Sequence, residues 1–374
     1  MKEIVQIYHY DPSTCGNSGV LRYVHNMLEY LEREPFEVKL LGVRYYESTI
    51  QFSNIIFIPI VHKKNSIIKY PLSLFIKLPF IKISSDAVIH THHIAYAIPF
   101  LFWKRKNPLI ITIHWERITG PSDRIIMKKI YRLIGLLAFN KATTVVFVSN
   151  NSKTLMVKEY PNLQTKAIVI PVGVDRTKFK PMIKANCRKI FGINNDQKVV
   201  LSVGVLEYFK NVGFLIKSFA HILKTLPNAL LIIAGEGQAK KSLVELVSNL
   251  GISSNVIFLG SVEYGDMPHL YNCADVFSLC SLQEASPTVV KEALSCGIPV
   301  VSLKVGDVAE VLTNPLVGKV VGSASDSLFA ESIIEFLLHS ENDSYLTKQE
   351  CVKISQQFSF EEIVKKYVKI YNTL

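Results

Sequence analysis

The sequence predicts an α/β protein of two domains, each built on a parallel, Rossmann-like sheet, and three observations carry that prediction. A chain of 374 residues with 49% hydrophobic content buries more core than one domain of ordinary size holds. Residues 199–259 alternate regularly between buried-strand runs (199–205, 229–234, 256–259) and helical patterns (212–225, 238–250), the order expected of a parallel sheet. Residues 275–303 then read as a strand, an acidic loop, a helix and a second strand.

In that last stretch, 275–281 is the end of a buried strand and Glu284 lies in the loop that follows. Ser286 and Pro287 form an N-cap and first-turn pair, Thr288 continues the helix, Glu292 sits two turns in, and Gly297 closes it as a C-cap before the strand at 298–303. The free N–H groups and positive dipole end of such a helix suit an anion or sugar hydroxyls. Glu284 and Glu292, with seven residues between them, flank that position, and carboxylates accept well from sugar and ribose hydroxyls. A ligand with polyol at both ends and phosphate between, a nucleotide sugar, fits this pattern.

From the N-terminus, residues 5–9 read as a strand, 11–19 as a polar loop containing Gly16 and Gly19, and 20–32 as an amphipathic helix. Strands follow at 36–43, 54–60, 86–91, 109–114 and 143–149. The strand at 86–91 ends in His90, His92 and His93, read as a polar cluster and not a metal site, because no carboxylate or cysteine ligand accompanies them locally. His114 closes the strand at 109–114, where ligands bind in open α/β sheets. Gly235-Glu236-Gly237 lies between strand and helix, but Lys240 occupies the third glycine position of a dinucleotide loop, which disfavours a dehydrogenase. Helices over 323–339, 343–356 and 360–371 close the chain.

Charge is unevenly placed. Residues 1–174 carry 22 Lys plus Arg against 11 Asp plus Glu, a net +11, while the remaining residues carry 20 of each. Over 62–83, Lys63, Lys64, Lys69, Lys77 and Lys82 alternate with bulky apolar residues. Over 124–140, Arg124, Lys128, Lys129 and Arg132 share one side of a helix whose other side is apolar, from Ile126 and Ile130 to Leu137. Both stretches suit an anionic membrane surface on the first domain. No zinc, helix-turn-helix or RNA-binding motif appears, so nucleic acid is not expected as a partner. The six cysteines lack any Cys-x-x-Cys pair and read as reduced thiols. No signal peptide or membrane-spanning run is visible, so a cytoplasmic location is expected, or a peripheral one on the inner face of the cytoplasmic membrane.

The segment Glu284-x7-Glu292-Ala293-x3-Gly297-x-Pro299-Val300 resembles the Glu-x7-Glu segment of the retaining nucleotide-sugar glycosyltransferases of family four, which have the GT-B fold. Pro171-x-Gly173-Val174-Asp175 resembles the family's link between domains, and Thr112-x-His114 its histidine-bearing strand. The resemblance implies two Rossmann-like domains facing across a cleft, residues 1–174 on the acceptor side and 175–374 on the donor side, with the last helix returning to the first domain. It implies that His114 faces the reacting sugar, that Glu284 and Glu292 hold sugar and ribose hydroxyls, and that Gly19 contacts donor or acceptor. Where the family carries Arg then Lys to grip the diphosphate, this chain has Val205 and Lys210, so Lys210 and the amides near Ser286, Pro287 and Thr288 carry that charge.

The expected activity is transfer of a hexosyl group from a nucleotide diphosphate sugar to a carbohydrate or lipid-linked glycan acceptor, in cell-surface polysaccharide or glycolipid synthesis. No cofactor is expected, and the absence of any Asp-x-Asp points to metal independence. A nucleotide-sugar epimerase and a non-catalytic sugar-nucleotide scaffold remain as alternatives.

Overall fold

The computed structural model describes residues 1–13, 19–45, 52–62, 69–104, 106–115, 125–322, 325–339 and 341–374. Two compact units divide the chain, one formed by Met1–Gly173 with Phe360–Leu374 and the other by Val174–Ser359. The expected change of domain at Asp175 thus falls one residue late, and the helix at 360–371 belongs to the first unit, as the resemblance implies for the last helix.

The first unit contains β1 (Lys2–Ile7), α1 (Gly19–Leu31), β2 (Phe36–Val43), β3 (Ile55–Val61), α2 (Tyr70–Lys77), β4 (Val88–Thr91), β5 (Leu109–Ile113), α3 (Ile125–Lys141), β6 (Thr144–Phe147), α4 (Asn150–Glu159) and β7 (Ala167–Val169). Its seven strands form one parallel sheet in the order β3-β2-β1-β4-β5-β6-β7. A parallel sheet is covered on both faces, so its central strands are mostly apolar, as in β5 (LIITI), where every residue is buried.

The second unit contains α5 (Lys184–Ile190), β8 (Val199–Val203), α6 (Val212–Thr225), β9 (Leu230–Ala234), α7 (Lys240–Asn249), β10 (Val256–Gly260), α8 (Met267–Cys273), β11 (Val276–Leu279), α9 (Thr288–Ser295), β12 (Val300–Leu303), α10 (Val308–Val311), β13 (Gly318–Val321), α11 (Asp326–Leu337) and α12 (Glu341–Ser355). Six parallel strands run in the order β10-β9-β8-β11-β12-β13. The final helix, α13 (Phe360–Thr373), packs on α1 in the first unit.

Strand order reverses between β1 and β4 in the first sheet and between β8 and β11 in the second. In open α/β sheets ligands bind outside the carboxyl ends of the strands at such a switch point. The chain therefore has one such position in each unit.

The helix α9 ends in a Schellman motif: Ile298 N–H donates to Ala293 C=O (2.9 Å) and Gly297 N–H to Leu294 C=O (3.0 Å). Gly297 has φ +80°, the left-handed conformation that favours glycine there. The apolar side of α3 is largely exposed. Only Gly135, Ala138 and Phe139 of that helix are buried, while Ile125 and Ile126 are 75% and 73% exposed. Arg124, Lys63 and Lys64 lie outside the described residues.

Candidate active site

At the switch point of the second sheet, the chain leaves β8 through Gly204 and Val205, makes a 3-10 turn over Tyr208–Lys210, and turns through Asn211 at φ +54° into α6. Two glycines pack against this loop. A Cβ on Gly235 would overlap the Gly204 carbonyl, and one on Gly237 would overlap the Leu206 backbone. The Leu206 N–H donates to Glu236 C=O (2.9 Å) and the Ala239 N–H to Leu206 C=O (2.8 Å). Gly235-Glu236-Gly237 is thus a rest for the neighbouring loop, which explains glycines at that place without a dinucleotide.

On the other side of the switch point, the chain leaves β11 into Glu284. The Lys210 ammonium contacts Glu284 Oε1 at 2.5 Å, with the two side chains 19% and 15% exposed. The Leu282 N–H donates to Phe209 C=O (2.8 Å), so the two loops are tied by backbone as well as by charge. Val205 is half exposed, and it lines a small cavity with Gly204, Lys210, Leu279 and Ser281. The Ser281 hydroxyl is buried with no hydrogen-bond partner among the described residues. Lys210 and Glu284, 74 positions apart in sequence, are brought together as a pair.

Ser286 does not cap α9. The N-cap is Pro287, in extended conformation and with no side-chain cap bond. The Ser286 hydroxyl instead donates to Asp307 Oδ2 (2.6 Å) and accepts from the Lys291 ammonium (2.8 Å), which also contacts Asp307 Oδ2 (2.6 Å). Lys291 and Asp307 side chains are 0% and 4% exposed. Burial pulls the Lys291 ammonium below its ordinary pKa, against the opposing pull of Asp307. Gly306, at φ +53°, lets this loop run against the acidic turn: a Cβ there would sit 2.8 Å from Ala285 O and 3.0 Å from Glu284 O. Sequence alone missed Lys291 and Asp307. A lysine beside Glu292 in an amphipathic helix reads as surface, and only the tertiary partner shows otherwise.

Thr288 is the first residue of α9, whose leading N–H groups have no partner within the helix. Glu292, on the next turn, is 7% exposed and accepts from the Tyr271 hydroxyl (2.6 Å). The structure thus gathers Val205, Lys210, Glu284, Pro287 and Thr288 around the end of β11, with Ser286 turned to Asp307 and Glu292 to Tyr271.

His114 and Gly19 belong to the first unit. Gly19 is the first residue of α1, and among the described residues nothing beyond its chain neighbours and its own helix lies within 4 Å of where its Cβ would stand. His114 follows β5, its Nε2 3.2 Å from His92 Nδ1 and its ring 4.8 Å from that of Tyr23. The expected strand-end polar cluster is present, and His90 and His92 are both 0% exposed. Among the described residues no group of three or more His, Cys, Asp or Glu is arranged to hold a metal ion.

Burial lowers the pKa of His90 to about 3 and of His92 well below 6.5, with neighbouring imidazoles adding to the shift. In the unfolded chain both rings take up protons below about pH 6.5, whereas in the folded unit they resist until far lower. Unfolded chain therefore binds more protons as pH falls, and stability present above pH 6.5 is lost below it. Each ring contributes about 1.4 kcal/mol per pH unit in that window, so moving from pH 7.5 to 5.5 should lower the melting temperature of the first unit by roughly 5–10 °C. Melting curves at the two pH values check this, and coincident curves would show that the rings are already charged or solvated.

Residues 17–178 match the family model Glycosyltransferase Family 4, and residues 184–350 match Glycosyl transferases group 1. Over 99% of this chain and 98% of the relative's, the sequence is 26% identical to an uncharacterized glycosyltransferase of Methanocaldococcus jannaschii. It is 27% identical to the UDP-Gal:alpha-D-GlcNAc-diphosphoundecaprenol alpha-1,3-galactosyltransferase of Escherichia coli, over 75% of each. The fold is similar to that of sucrose-phosphate synthase from Thermosynechococcus elongatus, with a TM-score of 0.83 and 18% identity over 100% of this chain and 99% of that one. Two matched models in succession, one for each parallel sheet, agree with the paired acidic loop and helix at the second switch point, and the chain belongs to the GT-B glycosyltransferases of family four.

Proposed function

We propose that this glycosyltransferase moves a hexosyl group, with retention of configuration, from a nucleotide diphosphate sugar to a carbohydrate or lipid-linked acceptor in cell-surface polysaccharide or glycolipid synthesis. The observation that carries the reading is the Lys210–Glu284 pair beside the amino end of α9. Lys210 and the free amides of α9 stabilise the diphosphate as it leaves, and Glu284 accepts from hydroxyls of the transferred sugar. Glu292 takes the ribose, and His114 and Gly19 serve the reacting sugar and acceptor. The name of the Escherichia coli relative, with its UDP-Gal donor and diphosphoundecaprenol acceptor, supports this choice of substrate class.

No divalent ion is required in this scheme, because fixed positive groups neutralise the diphosphate. A panel of nucleotide diphosphate sugars, each with and without acceptor and with EDTA, tests it. Sugar transfer in EDTA is expected; loss of activity in EDTA contradicts metal independence, and an isomerised donor without acceptor indicates an epimerase. Val205→Arg should keep or raise donor affinity, since it restores a second cation beside the diphosphate. A wild type that binds donor but never turns it over, with Val205→Arg restoring turnover, would indicate a scaffold.

The same unit that carries the charge excess exposes apolar side chains on α2 and α3, among them Leu72, Ile76, Ile125 and Ile126. Both helices pack on the 3-10 segment Ile94–Leu101, whose neighbour Phe102 stacks edge-on against Phe75. Lys69, Lys77, Lys128, Lys129 and Arg132 lie on the same two helices or at their start. We assign this face to the headgroup boundary of an anionic membrane, which matches both the charge and the exposed apolar groups. No described helix is long and apolar enough to cross a membrane. Liposomes with anionic lipid should co-sediment the protein at low salt and release it as salt rises, and Ile126→Asp should weaken capture by about tenfold or more. Binding that ignores lipid charge, or a concentration-dependent dimer buried through α3, would reassign the face.

A further inference from the structure

A line of buried polar side chains runs beneath the carboxyl ends of β1, β4 and β5 in the first unit and reaches α13. The Gln6 carboxamide Nε2–H donates to the Tyr371 hydroxyl (2.9 Å), and Gln6 Oε1 lies 2.9 Å from His92 Nε2. His92 Nδ1 is in turn 3.2 Å from His114 Nε2. On a second branch Tyr371 lies 2.6 Å from His90 Nδ1, and His90 Nε2 lies 2.7 Å from Thr112 Oγ1. Gln6, His90, His92, Thr112 and Tyr371 are each 0% exposed, so the protons between them need acceptors among buried groups, and Thr112 Oγ1 also bonds the Tyr367 hydroxyl (3.1 Å).

That requirement fixes the protons. Tyr371 has one hydroxyl proton, and of the two groups bonded to its oxygen Gln6 Nε2 can only donate, so the proton faces His90 Nδ1 and His90 carries its own on Nε2, toward Thr112. A carboxamide oxygen only accepts, so His92 carries its proton on Nε2, toward Gln6. His92 Nδ1 is then a lone pair, and the hydrogen bond to it is made by His114 Nε2–H. All three imidazoles reach the same tautomer, which is also the one free neutral histidine prefers.

We propose that Tyr371 and Gln6 are positioning residues which, through His92, hold His114 as the Nε2–H tautomer, so that its Nδ1 presents a lone pair to a substrate hydroxyl. The consequence for specificity rests on the reading of His114 as a sugar-facing residue. A ring presenting only a lone pair accepts from a hydroxyl and repels phosphate or carboxylate oxygen. Burial supports the neutral form, lowering His114 to about 3 with the charge of His93 adding to the shift. The arrangement also gives α13 a task in the first unit beyond packing, since its Tyr371 completes the hydrogen bonding of Gln6 and His90.

Histidine-labelled protein observed by long-range 1H–15N correlation tests the tautomer without any substrate, so its outcome is independent of the transferase reading. His92 and His114 should both show protonated Nε2 and unprotonated Nδ1 at neutral pH. Protonated Nδ1 in either ring overturns the proposal. Tyr371→Phe removes the hydroxyl that orients Gln6: the His92 and His114 signals should shift to a mixture of tautomers, and kcat/KM for transfer should fall about tenfold, the effect of one lost hydrogen bond. Tyr160→Phe, at a buried tyrosine outside the line, should change neither readout. Unchanged tautomers and unchanged transfer in Tyr371→Phe would leave α13 with a packing role only, and if that variant does not fold, the wild-type spectrum decides alone.

Discussion

Lys210→Ala is expected to abolish measurable sugar transfer, and Glu284→Ala to lower turnover by one to two decades. Losing a hydrogen bond to a charged group costs about 1.5–3 kcal/mol, which sets the second figure. The first is larger because Val205 supplies no second cation. The 2.5 Å contact between the two side chains adds a consequence that neither shows alone. Each variant strips the partner of its counterion, so the effects should be strongly non-additive, and Lys210→Ala/Glu284→Ala should be no worse than Lys210→Ala. Glu292→Ala should act differently, raising the donor KM while sparing kcat, because it removes binding to the ribose together with the carboxylate that accepts from the Tyr271 hydroxyl. Steady-state kinetics with a donor that turns over checks all four; wild-type values in Glu284→Ala would remove the reading of that turn.

Lys291→Met and Asp307→Asn should each destabilise the second unit by about 3–5 kcal/mol, the usual effect of breaking a buried ion pair from one side. For a unit of this size that is roughly a 10 °C fall in melting temperature. Replacing both partners, Lys291→Met/Asp307→Leu, should recover much of the loss, because no uncompensated charge then stays buried. Donor affinity should not recover with it, since Lys291 and Asp307 would no longer hold the Ser286 hydroxyl at the amino end of α9. Calorimetry and donor binding on the same three proteins separate the two effects. A double variant that regains stability and donor affinity together would show that the pair does not position the turn.

The fold was legible because its signals are periodic. Buried apolar runs such as LLIIA in β9 and the amphipathic helices between them determine a parallel sheet whichever side chains fill it. Short elements carry too few residues for periodicity, and α5, α8, α10 and β13 were not anticipated for that reason. The site was legible where a residue type is chemically unusual for its place, as with Glu284 in a loop before a helix and His114 after an apolar strand. It was not legible where the decisive fact is a partner distant in sequence. Ser286 before Pro287 has every local mark of a cap, yet Asp307 offers its hydroxyl a charged acceptor that a backbone N–H cannot match. The exposure of the apolar side of α3 could not be read from its period, since nothing in a helical period distinguishes a face turned to protein from one turned outward.

The central claim is that the nucleotide diphosphate sugar is held at the switch point of the second sheet, between the loop after β8 and the amino end of α9. Hydrogen exchange of the wild-type chain, with and without a saturating donor that turns over, addresses it directly. Protection is expected to concentrate in peptides covering 204–211 and 281–292, and to be lost at 204–211 in Lys210→Ala. Turnover accompanied by protection elsewhere, with those two segments exchanging as in the free protein, would contradict the account.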